Sequence, residues 1–323
     1  MDYRIRAMLA LALLLSSIAP ASPQTYPAKP IKLVVPYQPG ASTDALGRII
    51  GHKVAERLGQ PVLTESRPGA SGMVGSDYVA KSPPDGYTIL LGTAATHVVN
   101  QYLSLKYPFD PIRDFAPIIA ATRNVIVLVA SPSFGASSVE ELLQKARGIP
   151  EGIPFGSSGT GSAHHLAGEL LGQMAGIKLI HVPYKGGGSA VQDLLSGQLP
   201  IAFSSLVSVE SLIRAGKLRA LGITDTVPYK KLPNVPPIGQ TVKGYELSYN
   251  WLGFFAPAGT APSIVQLLNQ EIARALALPD VISKLEVEGM QILGGTPEQF
   301  AATIRTDQVK SSKLIRDAGI QPE

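Results

Sequence analysis

From Ile31 onward, short apolar runs rich in β-branched residues alternate with segments of helical period, and no other feature restricts the fold as much. Residues 31–37 (IKLVVPY) read as a strand stopped by Pro39-Gly40. Residues 43–58 then place Leu46, Ile49, Ile50, Val54 and Leu58 on one helical face. Further strands are expected at 87–91, behind the turn Pro84-Asp85-Gly86, and at 125–130, 153–156, 179–182, 201–203, 218–224 and 251–256. Helices are expected over 139–146, 162–174, 190–195, 208–215, 263–276, 281–288 and 297–313. Strands that hand over to helices imply an α/β fold, its mostly parallel sheets covered by helices. The stretch 226–244, rich in proline, glycine and charge, reads as a surface connection.

Length divides this material in two. A single core rarely grows beyond ~250–300 residues, so a chain of 323 residues is expected to form two domains. Its 45% hydrophobic and 16% charged residues are those of an ordinary globular protein. The N-terminus reads as an export signal over residues 1–21: Arg4 and Arg6 form a basic head, 7–15 is unbroken apolar, and Ala19-Pro20-Ala21 offers small residues for cleavage. That apolar run is far short of the ~20 residues that span a bilayer, so release into a periplasm is expected rather than anchoring. The formal charge is +4, and removing Asp2, Arg4 and Arg6 leaves it near +3 with no dense basic run. This excess favours anionic ligands mildly and gives no footprint for nucleic acid. With no cysteine, disulfides, zinc ribbons and thiol nucleophiles are excluded together.

Candidate chemistry lies where strands hand over to helices, because ligands of open α/β sheets sit outside the carboxyl ends of strands. Unpaired N–H groups and the positive end of the helix dipole face an anion there. The first such place is the loop Tyr37, Gly40, Ala41, Ser42, Thr43 and Asp44, in which Gly40 permits a tight turn and Ser42 or Thr43 can cap the helix. The same residues suit a capped turn with no ligand. The second is Ser157, Ser158, Thr160, Gly161, Ser162 and His164, where glycines allow close backbone approach and hydroxyls both donate and accept; a plain flexible loop is the alternative. The third runs from His181 through Tyr184 and Lys185 to Asp193, with Lys185 available to an anion and Asp193 to a donor or an ammonium group. In the alternative, Lys185 is solvated and Asp193 stabilises its helix.

Several chemistries are missing from the sequence. There is no G-x-S-x-G elbow, no G-x-x-x-x-G-K-[ST] and no G-x-G-x-x-G, so neither a standard hydrolase serine nor a nucleotide loop is present. His164 and His165 are adjacent, and adjacent helix positions do not face one site. No catalytic residue, metal ligand or cofactor is therefore expected. Trp251 is the single tryptophan, a core residue by default that could also line a cleft.

Taken in order, the blocks of the chain resemble the Bug family, the extracytoplasmic solute receptors of tripartite tricarboxylate transporters. The resemblance rests on Tyr26-Pro27, Val35-Pro36-Tyr37 with Pro39-Gly40 and Asp44, Arg67-Pro68-Gly69-Ala70, and Pro84-Asp85-Gly86-Tyr87-Thr88. It continues through Asp114-Phe115-Ala116-Pro117-Ile118, Gly156-Ser157-Ser158-Gly159, His181-Val182-Pro183-Tyr184-Lys185-Gly186 and Phe255-Ala256-Pro257-Ala258-Gly259-Thr260. Ala41, Ser66, Ser71 and the stretch 236–241 depart from the usual pattern of the family.

The resemblance implies a two-lobed periplasmic-binding-protein (Venus-flytrap) architecture. Residues 22–123 plus 248–323 would form one lobe and 124–247 the other. It implies that the loops at 40–44 and 157–162 grip a ligand carboxylate, with Thr93, Thr96, Ser204 and Ser205 lining the same cleft. The ligand would be a dicarboxylate, tricarboxylate, amino acid or aromatic acid, and the partner the membrane permease subunits. The receptor would act as a monomer. The alternatives are a hydrolase using a serine of the 156–162 loop, or a sensor subunit feeding a signalling kinase.

Overall fold

In the computed structural model, which describes residues 26–184, 186–247 and 250–322, the apolar runs assemble into two separate sheets. The expected signal segment lies outside the described residues. The chain opens with β1 (Ile31–Val35), α1 (Ser42–Leu58), β2 (Val62–Ser66), α2 (Met73–Ala80) and β3 (Thr88–Thr93). A π-helical turn (Ala95–Val99) runs into the short α3 (Asn100–Leu103), and β4 (Phe115–Asn124) carries the chain out of this first lobe. The second lobe contains β5 (Ile126–Ala130), α4 (Val139–Arg147), β6 (Ile153–Ser157), α5 (Ala163–Ala175), β7 (Leu179–Pro183) and α6 (Gly187–Ser196). It continues with β8 (Ile201–Ser205), α7 (Leu206–Arg214), β9 (Arg219–Ile223) and α8 (Ile238–Thr241). The chain returns to the first lobe for β10 (Trp251–Pro257), α9 (Pro262–Leu276), α10 (Pro279–Val287), β11 (Met290–Gly294) and α11 (Pro297–Asp317).

The first sheet has the order β11-β4-β10-β3-β1-β2 and the second β7-β6-β8-β5-β9. Both are mixed, which corrects the expectation of mostly parallel sheets. Parallel pairing is confined to β1 with β2 and β3, and to β6 with β7 and β8. The long outgoing strand β4 and the returning strand β10 pair antiparallel with their neighbours, and β5 does so with β8 and β9. The cause is connectivity: a strand that enters a sheet from the other lobe is not delivered by a crossover helix, so it need not run parallel.

Strand alternation sorts the side chains into separate cores. Leu33 and Val35 face the helices α1 and α9 with Leu46, Ile50 and Leu268, while Val34 faces the opposite way with Leu90. In the second lobe Val127 and Val129 pack with Ala190, Leu194 and Val209, and Leu128 turns to Phe155 and Phe203. The core that holds Val34 and Phe155 also holds Phe300, Ile304, Leu314 and Ile315 of α11, so this helix packs on both lobes. Gln173 of α5 donates to the Leu314 carbonyl at 3.2 Å. The stretch 226–244 is a surface connection only in part. Tyr229, Leu232, Ile238 and Val242 are buried, because the proline-rich segment is held against β9 by the Ile223 N–H on the Pro236 carbonyl. Among the described residues no helix is long and apolar enough to cross a membrane.

Candidate functional site

Between the lobes lies a cavity of about 380 Å³. Its floor is where the chain crosses over: Asn250 donates through Nδ2 to the Asn124 carbonyl at 2.9 Å, and the Asn124 N–H returns to the Asn250 carbonyl at 3.4 Å. Each wall is built by a strand that ends and a helix that begins.

On the first wall, Gly40 takes φ +84 and its N–H donates to Asp44 Oδ2 at 3.0 Å. Asp44 also holds Arg48 Nε at 3.0 Å, and this guanidinium keeps its carboxyl below the usual carboxylate range. Asp44 therefore braces the loop and does not line the cavity. Neither Ser42 nor Thr43, the two residues able to cap α1, does so. Instead the helix begins at Ser42, Ala41 holds the N-cap position, and no side chain caps it. The N–H groups of the first turn have no intrahelical acceptor, and they stand at the cavity wall with Ala41, Ser42 and Thr43. Tyr37 and Thr93 complete this wall, joined by a 2.9 Å hydroxyl contact. Thr96 is buried behind them, its hydroxyl donating to the Thr93 carbonyl at 2.9 Å, and it does not reach the cavity.

On the second wall, strand alternation decides which residue faces the ligand. Ser157, the last residue of β6, points inward to His181 Nε2 at 2.6 Å, and Ser158 points into the cavity. The same rule separates Ser204, buried and outside the lining, from Ser205, which lines it. His164 links the two lining serines, with Nδ1 2.8 Å from Ser158 Oγ and Nε2 3.2 Å from Ser205 Oγ. Burial lowers its pKa to about 4, so it is neutral and carries no charge into the cleft. Gly159 and Gly161 take positive φ, and the Ser162 hydroxyl caps α5 by accepting the His165 N–H at 3.1 Å. Thr160, Gly161 and Ser162 all line the cavity. His165 turns the other way and stacks on His181 with ring centres 3.6 Å apart, so the two adjacent histidines do face different places.

The described residues of the third loop do not line the cavity. Tyr184 donates to Asp193 Oδ2 at 2.5 Å, and burial followed by the Asp193 charge pushes its phenol up to about 12. Lys185 lies outside the described residues. Ser71, Asn100, Asn124, Ile126, Asn250 and Leu252 also line the cavity without having been expected there, and Trp251 lines it as the alternative to its core role allowed. For Asn124, Ile126, Asn250 and Leu252 the only available signal was their position at or beside the two lobe crossings.

A nucleophile–base pair would need a reachable serine and an orienting acid. Ser157 has a histidine but is fully buried. Ser158 has one too, yet the far nitrogen of that ring meets a serine rather than a carboxylate. Among the described residues no cluster of histidine, aspartate and glutamate could hold a metal ion.

The family model for the tripartite tricarboxylate transporter family receptor matches residues 46–320. The chain belongs to this receptor family. Its members are binding proteins rather than enzymes, in keeping with the sealed Ser157. Among its curated relatives is the UPF0065 protein in the tcbD-tcbE intergenic region of Pseudomonas sp. strain P51, 38% identical over 97% of this chain and 93% of the relative. Protein BugT of Bordetella pertussis is 33% identical over 93% of each. A solved R. palustris receptor, Rpa4515 with adipate, is 33% identical, covers 92% of this chain and 100% of its own, and superposes with a TM-score of 0.79. The two-lobed α/β fold of the receptor family is thus the fold of this chain.

Proposed function

We propose that this receptor is exported to the periplasm, loses its signal near Ala21, captures a small carboxylate between its lobes and delivers it to the permease of a tripartite transporter. One observation carries the reading: an uncapped α1 and the Ser158–Ser162 loop converge from opposite lobes on one cavity. The unpaired N–H groups that begin α1 and the hydroxyls that line the second loop suit an anion that both lobes must hold. The similar R. palustris receptor was solved with adipate, which supports a carboxylate. The bodies that move are 22–123 with 248–323, and 124–247, pivoting at the Asn124–Asn250 pair. Closure is favoured because only the closed form makes both sets of bonds to the ligand.

A thermal-shift screen of the mature protein against a carboxylate library, followed by calorimetry, tests this. An acid at a hundred times its Kd should stabilise the fold by about 2.7 kcal/mol, and Ser158→Trp should remove the shift. If no acid shifts the protein, the carboxylate reading is wrong. Delivery is tested separately by uptake in cells or vesicles carrying the cognate permease.

A further inference from the structure

Among the described residues, the acidic side chains of the candidate loops and the one behind Trp251 are already held by the protein. Asp44 is bound by Arg48 and the Gly40 N–H, and Asp193 by the Tyr184 hydroxyl. Asp307 accepts the Trp251 indole N–H at 2.9 Å behind the cavity wall. No carboxylate lines the cavity among the described residues. His164 offers no lone pair to a cation, since both ring nitrogens face serine hydroxyls. The remaining wall is partly apolar, made by Ala94, Ala95, Val99, Ile126, Ala163 and Leu252.

We infer that the ligand is a carboxylic acid without an ammonium group, its carboxylate on the two donor loops and an apolar stretch along Val99, Ile126 and Leu252. This rests on the carboxylate reading above and narrows it, removing amino acids from the ligands the sequence left open. An ammonium drawn into this cavity loses its water and meets only neutral acceptors, and a desolvated charge without a counter-charge is strongly disfavoured. The ligand's own carboxylate cannot compensate, because it would be engaged by the unpaired N–H groups that begin α1 and by the hydroxyls of the second loop. The cavity, at about 380 Å³, is near the small end of ligand sites, which run from ~300 to 1,000 Å³.

Calorimetry on matched pairs tests the inference: phenylalanine against 3-phenylpropanoate, leucine against 4-methylpentanoate, and glutamate against glutarate. In every pair that binds, the amine-free acid should bind at least about tenfold more tightly, equivalent to about 1.4 kcal/mol. An amino acid that binds as tightly as its amine-free partner overturns the inference and leaves the carboxylate receptor standing. Binding of 3-phenylpropanamide as tightly as 3-phenylpropanoate, or no binding by any acid, overturns the carboxylate reading itself and this inference with it.

Discussion

Gly161→Ala should weaken ligand binding by about a hundredfold while leaving the protein folded. Gly161 takes φ +74, and a Cβ there would stand 2.4 Å from Leu103 Cδ1. Leu103 belongs to α3 in the first lobe and Gly161 to the donor loop of the second. The added methyl therefore acts as a wedge between the lobes, on top of the roughly 1–3 kcal/mol cost of an alanine held in the left-handed region. A hundredfold loss corresponds to about 2.8 kcal/mol, which the wedge alone supplies, because the left-handed strain is the same with and without ligand. Gly176→Ala is the control: the same left-handed backbone, φ +63, at the end of α5, with nothing within 4 Å of the new methyl. It should lower the urea midpoint and leave Kd unchanged. If both variants lose stability alike and Gly161→Ala still binds as the wild type does, the lobes do not close on this loop.

Arg123→Met should destabilise the protein by about 3 kcal/mol, and by more at neutral than at mildly acid pH. Arg123 of β4 reaches across from the first sheet to Asp225, just past β9 in the second, with Nε 2.7 Å from Oδ1. Asp225 is 3% exposed, and its Oδ2 has no hydrogen-bond partner. Burial raises its pKa, and Arg123 opposes that rise. Without the guanidinium the folded-state pKa rises further above the unfolded value. The folded protein then holds the Asp225 proton more tightly than the unfolded chain does, so stability is retained at low pH and lost as pH rises through that window. Urea denaturation of both proteins at acid and neutral pH measures the difference. A destabilisation independent of pH would mean that Asp225 finds another partner.

The sequence made the central elements legible because their physics is local. β5 and the α1 face follow directly from apolar pattern, and the turns at Gly40 and Gly161 from glycine. What it hid was non-local. β4 contains Pro117, which argues against an interior strand, yet the register against β10 shifts between Phe254 and Phe255, and the resulting irregularity accommodates it. β2 is a half-exposed edge strand, VLTES, without an apolar alternation to announce it. At the site, loop composition located two of the segments that line the cavity but not which hydroxyl points inward. Ser157 and Ser158 are chemically identical until the end of β6 assigns them to opposite sides. Asn124 and Asn250 carried no motif at all, because a crossover exists only once two distant stretches of chain meet.

Trp251 lines the cavity, and no other tryptophan exists to obscure it. The indole is 2% exposed, packed edge-on against Phe300 and tied to Asp307 of α11. Its emission is consequently that of a single chromophore set in an apolar wall beside the crossover. Ligand entry and the proposed lobe rotation would both alter the surroundings of that one ring, which makes the unlabelled receptor its own optical gauge of occupancy.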